Sequence, residues 1–270
     1  MTATYAVLTI LFYVASLGLY VGSLYSSHAL AGRAASACLA GGLVFHYLML
    51  LERSHWVHSV PYQDLYGSMS LFGWLLALTY LGLELFHRQR SVGAFVVPVV
   101  LVLLLAGSLT HRATPLPPPA HGVVFVLHVT LSILAYAAFA LSFVLSVMFL
   151  VEERVLRRHK LGSAVWRFPP LELLDRMSRS SVIVGLVTIC AGTVLGYVSV
   201  DRQTGRVWHS DPKYLITILV LLLYAAYLLI GRSANWRGAR ASRFCVFNFA
   251  VVILSFTVVN LFLTKAHRYF

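Results

Sequence analysis

HGVVFVLHVTLSILAYAAFALSFVLSVMFLVEE, residues 121–153, decides the fold. From Gly122 to Val151 it holds no Lys, Arg, Asp or Glu. At roughly 1.5 Å per residue such a run reaches about 45 Å, more than the ~30 Å hydrocarbon core of a bilayer. The stretch therefore predicts a long membrane-spanning helix that tilts or protrudes. His128 is its single ionisable side chain beyond His121, two helical turns earlier on the same face. An imidazole at membrane depth needs a partner or a ligand.

Composition says the same of the whole chain. Of 270 residues, 59% are hydrophobic and 11% charged, and mean hydropathy is +0.81. These values indicate an integral membrane protein rather than a soluble domain. The net charge of +12 does not indicate nucleic acid, because the basic residues lie between apolar runs, as orientation signals do. Cys38, Cys190 and Cys245 stand isolated within apolar runs, with no CxxC spacing. They read as small packing residues, not as a thiol–disulfide pair.

Eight apolar spans follow one another: Tyr5–Tyr25, Ala35–Leu51, Ser68–Phe86, Val92–Gly107, Gly122–Val151, Ser181–Val200, Tyr214–Ile230 and Phe244–Thr264. The expected architecture is all-α, a single eight-helix membrane domain over residues 1–270. Met1–Thr4 has no basic n-region, so the first span reads as a retained helix. Alternate connections hold 14 and 7 of the Lys and Arg residues. The positive-inside rule puts the richer set in the cytoplasm and both termini on the outer side. Residues 52–67, 108–121 and 201–213 are then outer loops, and 152–180 is the largest cytoplasmic segment. Within it LELLDRMSRS (Leu171–Ser180) reads as a short amphipathic helix at the lipid surface.

The 11 histidines outnumber the acidic residues. His46 and His128 each lie about six residues, ~9 Å, below the outer ends of their spans. His55, His58, His111, His121, His209 and His267 sit in or beside outer loops. A lone buried histidine is usually a hydrogen-bonded packing residue; two at matched depth, with a cluster above them, point to a site. Zinc would use a local pair such as His55 and His58 with Glu52, but that stretch is rich in turn-formers. Heme asks for imidazoles from separate elements, aromatic walls and cations for its propionates. Tyr47, Trp56, Tyr62, Tyr66, Trp74, Tyr136, Tyr197, Trp208 and Tyr269 could supply walls. Arg112, Arg202, Arg206 and Arg268 could pair with propionates.

Four segments, in order, resemble the cytochrome c assembly family of the CcsA type and its HemX-like relatives. HVTLSILAYAAF (His128–Phe139) resembles the family helix whose histidine ligates heme. HSVPYQDLYGSM (His58–Met69) resembles its proline-containing segment before a helix, and GRVWHSDPKY (Gly205–Tyr214) its tryptophan-rich heme-facing loop. VNLFLTKAHRYF (Val259–Phe270) resembles its last helix, with His267 as the second outer ligand. The resemblance implies heme b held by His128 and His267, with Trp208 on the porphyrin edge and Asp211 at the start of the next helix. Tyr66 and Tyr136 would join the pocket. His46 is the third ligand candidate, followed by His58, His121 and His209.

Two arrangements are open. Either His46 and His128 clasp one heme and His267 closes a second site, or His128 and His267 hold the only heme and His46 packs or relays. Tyr47, Thr130 and Asn260 are candidate partners for the far imidazole nitrogens. Thr204 and Ser210 replace family tryptophans, and Leu229 stands where such proteins often carry an intramembrane histidine. These departures favour the HemX-like branch, tied to heme handling and to control of tetrapyrrole synthesis. The expectation is a non-enzymatic heme-binding protein of the bacterial cytoplasmic membrane. Its partner would be a maturation protein with a large outer domain or a cytoplasmic tetrapyrrole-synthesis enzyme. The alternatives are a scaffold binding such an enzyme through residues 152–180, or a quinone-linked b-type cytochrome.

Overall fold

A computed structural model describes residues 2–25, 29–57, 60–62, 64–109, 122–157, 169–204, 212–233 and 236–258. Among these, eight α-helices and no strand are formed. They are α1 (Thr2–Tyr25), α2 (Ala29–Val57), α3 (Leu65–His87), α4 (Gly93–Ser108), α5 (Val123–Arg157), α6 (Leu171–Thr204), α7 (Pro212–Ile230) and α8 (Ala239–Val258). Each contains most of one apolar span. Stretches Thr4–Tyr25, Leu30–Val57, Leu65–His87, Val123–Arg157 and Leu171–Ser199 are long and apolar enough to cross a membrane, whereas Gly93–Ser108 and Leu215–Ile230 are shorter. The chain is a multi-pass, all-helical membrane protein.

Apolar side chains turn outward over much of the surface, among them Leu11, Phe86, Val102, Val187, Leu222 and Leu254. Lipid tails are as apolar as leucine, so such faces need no protein cover. Inside, two apolar groups fill the bundle. One, with Tyr13, Tyr20, Leu39, Leu76, Tyr80 and Leu141, joins α1 to α5 and the start of α6. The other, with Phe139, Ile189, Tyr224, Tyr227 and Cys245, joins α5 to α8. Helix α5 contributes to both and is the shared wall.

The segment Leu171–Ser180 is not a separate surface helix. It forms the first turns of α6. Leu174 and Met177 are fully buried and Ser178 nearly so, on a stripe facing α5. Its charges pair along the helix, Glu172 with Arg176 and Asp175 with Arg179, each at 3.0 Å. Such i,i+4 pairs let a charged stretch continue as helix. Helix α5 likewise continues to Arg157, so residues 152–157 and 171–180 of the expected cytoplasmic segment are helical.

The outer segment expected at residues 52–67 is also shorter than a loop of that length. Helix α2 continues to Val57 and α3 begins at Leu65. Asp64 caps α3 with extended backbone, and its Oδ1 accepts from the Gly67 N–H at 2.9 Å. An N-cap carboxylate of this kind is worth about 1 kcal/mol. Gly67 is required there, because a Cβ would lie 2.4 Å from the Pro61 carbonyl oxygen.

Candidate functional site

His128 lies in the second turn of α5, on the face that meets α6. Its Nδ1–H donates to the carbonyl oxygen of Gly192 at 2.6 Å. A carbonyl only accepts, so this contact sets the proton on Nδ1 and leaves Nε2 with its lone pair. Among the described residues Nε2 has no hydrogen-bond partner. The residue is half-buried. Orientation of an imidazole through its far nitrogen is what axial ligation of a metal requires.

Glycines make this approach possible. A Cβ at Gly196 would lie 2.6 Å from Cε1 and 2.7 Å from Nδ1 of His128. Gly192, four residues earlier, presents the accepting carbonyl and meets Ser132. Two glycines at this spacing let α6 come close to α5. Phe125, one turn before His128, has its ring 6.0 Å away, and Tyr62 lies 5.9 Å beyond Phe125. This aromatic line ties the segment before α3 to the histidine.

His46 has a different setting. It is fully buried between α1 and α3. The Tyr13 hydroxyl lies 3.1 Å from Nδ1, and Ser70 Oγ lies 2.9 Å from Nε2. Both ring nitrogens are therefore engaged by protein groups. Depth matched His46 to His128, but the helices that flank them differ.

Of the expected partners of the far nitrogens, Asn260 lies outside the described residues and the other two are engaged elsewhere. Thr130 bonds back to its own helix at Val126, and Tyr47 packs on Trp74 with ring centroids 5.7 Å apart. Tyr66 is buried on α3, with its hydroxyl 3.9 Å from Met49 Sδ. Tyr136 lies on α5 two turns below His128 and packs with the α5–α8 group. Arg202 falls in the last turn of α6. His58, His121, His209, His267, Trp208, Asp211, Arg112, Arg206 and Arg268 lie outside the described residues. Pro212 does open α7, as expected for a proline at the first helical position.

Two charged centres went unmarked in the sequence. Arg53, within the outer loop expected at residues 52–67, is buried near the C-terminal end of α2 and forms an ion pair with Asp64. Its guanidinium lies 4.6 Å from the Trp56 ring centre and 5.6 Å from that of Tyr66. At the far end of α3, Glu84 is buried and accepts from Tyr20 Oη at 2.5 Å and from Ser36 Oγ. Arg90 Nε stands 3.8 Å from it. A single glutamate inside the apolar run LGLELF was the available signal. Among the described residues no group of three or more His, Cys, Asp or Glu is placed to hold a bare metal ion.

Residues 62–267 match the family described as cytochrome C assembly protein. The chain belongs to this family. The match opens at the aromatic line to His128 and closes on His267. Similar curated proteins are the cytochrome c biogenesis protein CcsA of Synechococcus sp. (strain CC9605), 28% identical over 90% of this chain and 88% of its own length, and that of Guillardia theta, 25% identical over 82% and 81%. The CcsA protein of Prochlorococcus marinus (strain NATL2A) is 27% identical over 77% and 76%.

Proposed function

We propose that the chain serves cytochrome c assembly by binding heme b at the outer face of a bacterial cytoplasmic membrane, with both termini on that side. One observation carries the reading: the Gly192 carbonyl holds the Nδ1 proton of His128 and leaves Nε2 free to bind iron. The family resemblance names His267 as its partner. With both nitrogens of His46 occupied by Tyr13 and Ser70, the arrangement with one heme between His128 and His267 is the better supported. His46 then packs the bundle. Heme is cargo in this reading. It brings the porphyrin iron to be delivered, and the chain binds, orients and shields it.

His128 would fix the iron from α5, Phe125 and Tyr62 would wall one side, and Trp208 would lie on the porphyrin edge. Arg112, Arg202, Arg206 and Arg268 would meet the propionates. Helix α7 supports the HemX-like reading, because Leu229 is 61% exposed on its surface and offers no intramembrane imidazole. Heme handling beside a separate maturation protein follows from that.

The test is the absorption spectrum of the detergent-purified chain, reduced and oxidised. A low-spin b-type spectrum in the wild type, lost in His128→Ala and in His267→Ala, is expected. A wild type that binds no added heme overturns the reading and leaves a scaffold as the better account.

A further inference from the structure

The half of the bundle formed by α5–α8 contains a line of polar groups that heme binding at His128 does not use. It begins at one end of the bundle with the ion pair of Asp175 and Arg179 on α6. The Arg179 guanidinium lies against the last turn of α7; a Cβ on Gly231 would meet it at 2.7 Å. Between Asp175 and Arg179 on α6, Ser178 Oγ lies 3.2 Å from Tyr227 Oη and 3.2 Å from Ser146 Oγ. One turn back along α5, Ser142 Oγ lies 3.2 Å from Cys245 Sγ on α8. Ser142 donates to the Phe139 carbonyl at 2.9 Å, so the thiol donates to Ser142. Tyr224 comes next, its ring stacked on Phe139 at 3.8 Å.

These groups are buried, yet their polar atoms are not all paired. Tyr224 and Asn248 are both fully buried. Among the described residues the hydroxyl of Tyr224 and Oδ1 of Asn248 have no hydrogen-bond partner, although Asn248 Nδ2 donates to the Leu223 carbonyl at 3.1 Å. At the mouth, Asp175 Oδ1 and Arg179 Nη2 are also buried and have no hydrogen-bond partner among the described residues. An orphaned donor or acceptor is costly in a protein interior. Four along one path, with three serines between them, are what bound water satisfies, since a buried water makes about three hydrogen bonds to such groups.

We propose that α5–α8 enclose a hydrated polar column that takes water molecules, and exchanges protons, from the Asp175–Arg179 end of the bundle up to Tyr224 in its middle. The column closes where Phe139 stacks on Tyr224 and fills the space over Gly185, where a Cβ would lie 2.4 Å from the Phe139 ring. Water thus enters from one end only. The column does not depend on heme, and its presence or absence leaves the reading of His128 unaffected.

Cys245 is a built-in reporter. In the full chain with Cys38→Ser and Cys190→Ser, it is the remaining thiol. Its S–H stretch is followed by infrared spectroscopy after transfer into heavy water, with Cys245→Ser assigning the band. The expected result is S–H to S–D exchange within minutes, while amides of the bundle interior remain protonated. Ser178→Val, which plugs the column, slows the exchange by about tenfold or more; Ser146→Val serves where that variant does not fold. A thiol that exchanges no faster than the neighbouring helix amides overturns the proposal. So does exchange that is equally fast with the plug in place.

Discussion

A β-carbon on Gly196 would stand 2.6 Å from Cε1 of His128. The absence of a side chain at that position is what lets the imidazole lie along α6 and reach the Gly192 carbonyl. A methyl group there would push the ring out and break the bond that holds its tautomer. Loss of such an outer partner commonly costs about 10–100-fold in metal affinity. Gly196→Ala is therefore expected to weaken heme binding by about that factor in a titration followed at the Soret band. Gly18→Ala is the control, because a Cβ there meets nothing within 4 Å. Wild-type affinity in Gly196→Ala would show that the ring orientation is irrelevant to binding.

His46 gives the opposite expectation. Its removal leaves the hydroxyls of Tyr13 and Ser70 without their partner and opens a hole among α1, α2 and α3. His46→Ala should lower stability by about 2–4 kcal/mol through cavity and orphaned-hydroxyl costs. The heme spectrum should persist. Tyr13→Phe removes one hydrogen bond and should cost about 1 kcal/mol. Denaturation in detergent, read beside the Soret band, separates the two quantities. A spectrum lost in His46→Ala at unchanged helicity would restore the two-heme arrangement.

How far the sequence foretold this geometry depends on what each residue's neighbours add. The helices were visible because long runs without charge admit one explanation in a membrane. The start of α6 was not, because Glu172, Asp175, Arg176 and Arg179 look like a surface segment until their i,i+4 pairing is seen. His128 stood out by chemistry and by resemblance. Its actual partner did not, since a backbone carbonyl carries no letter in the sequence; only the Gly192–Gly196 spacing hinted at it. His46 matched His128 in depth, but depth is one coordinate. The direction of each ring is set by which helices lie beside it, and that is tertiary information.

Asp64 does two things with its two oxygens. Oδ1 caps α3 through Gly67, and Oδ2 pairs with the buried Arg53. Removing one partner of a buried pair costs about 3–5 kcal/mol because the other charge is left uncompensated. Asp64→Ala should lose that and about 1 kcal/mol of capping as well. Asp64→Asn keeps an oxygen for the Gly67 N–H and should be less damaging. Arg53→Met combined with Asp64→Asn should destabilise by less than the sum of the two single changes, since each single change strands a partner. Additive losses in a double-mutant cycle would mean that the two side chains act independently.

Glu84 tests whether a buried carboxylate fastens the other end of the same helices. Tyr20 from α1 and Ser36 from α2 both donate to it, and Arg90, in the turn before α4, stands beside it. Tyr80 reaches the same turn by donating to the Arg90 carbonyl at 3.2 Å. Three helices and a turn thus meet on one side chain. Glu84→Ala leaves two hydroxyls without their acceptor and the Arg90 guanidinium without its nearby carboxylate, and should cost about 3–5 kcal/mol. Glu84→Gln retains one carbonyl oxygen, and a hydroxyl can turn to accept from the new amide, so its cost should be about 1–2 kcal/mol. Neither change reaches α5 or α6 at His128, so heme affinity should be unaltered in whatever fraction folds. Equal costs for the two variants would show that packing volume matters at this position and that the hydrogen bonds do not.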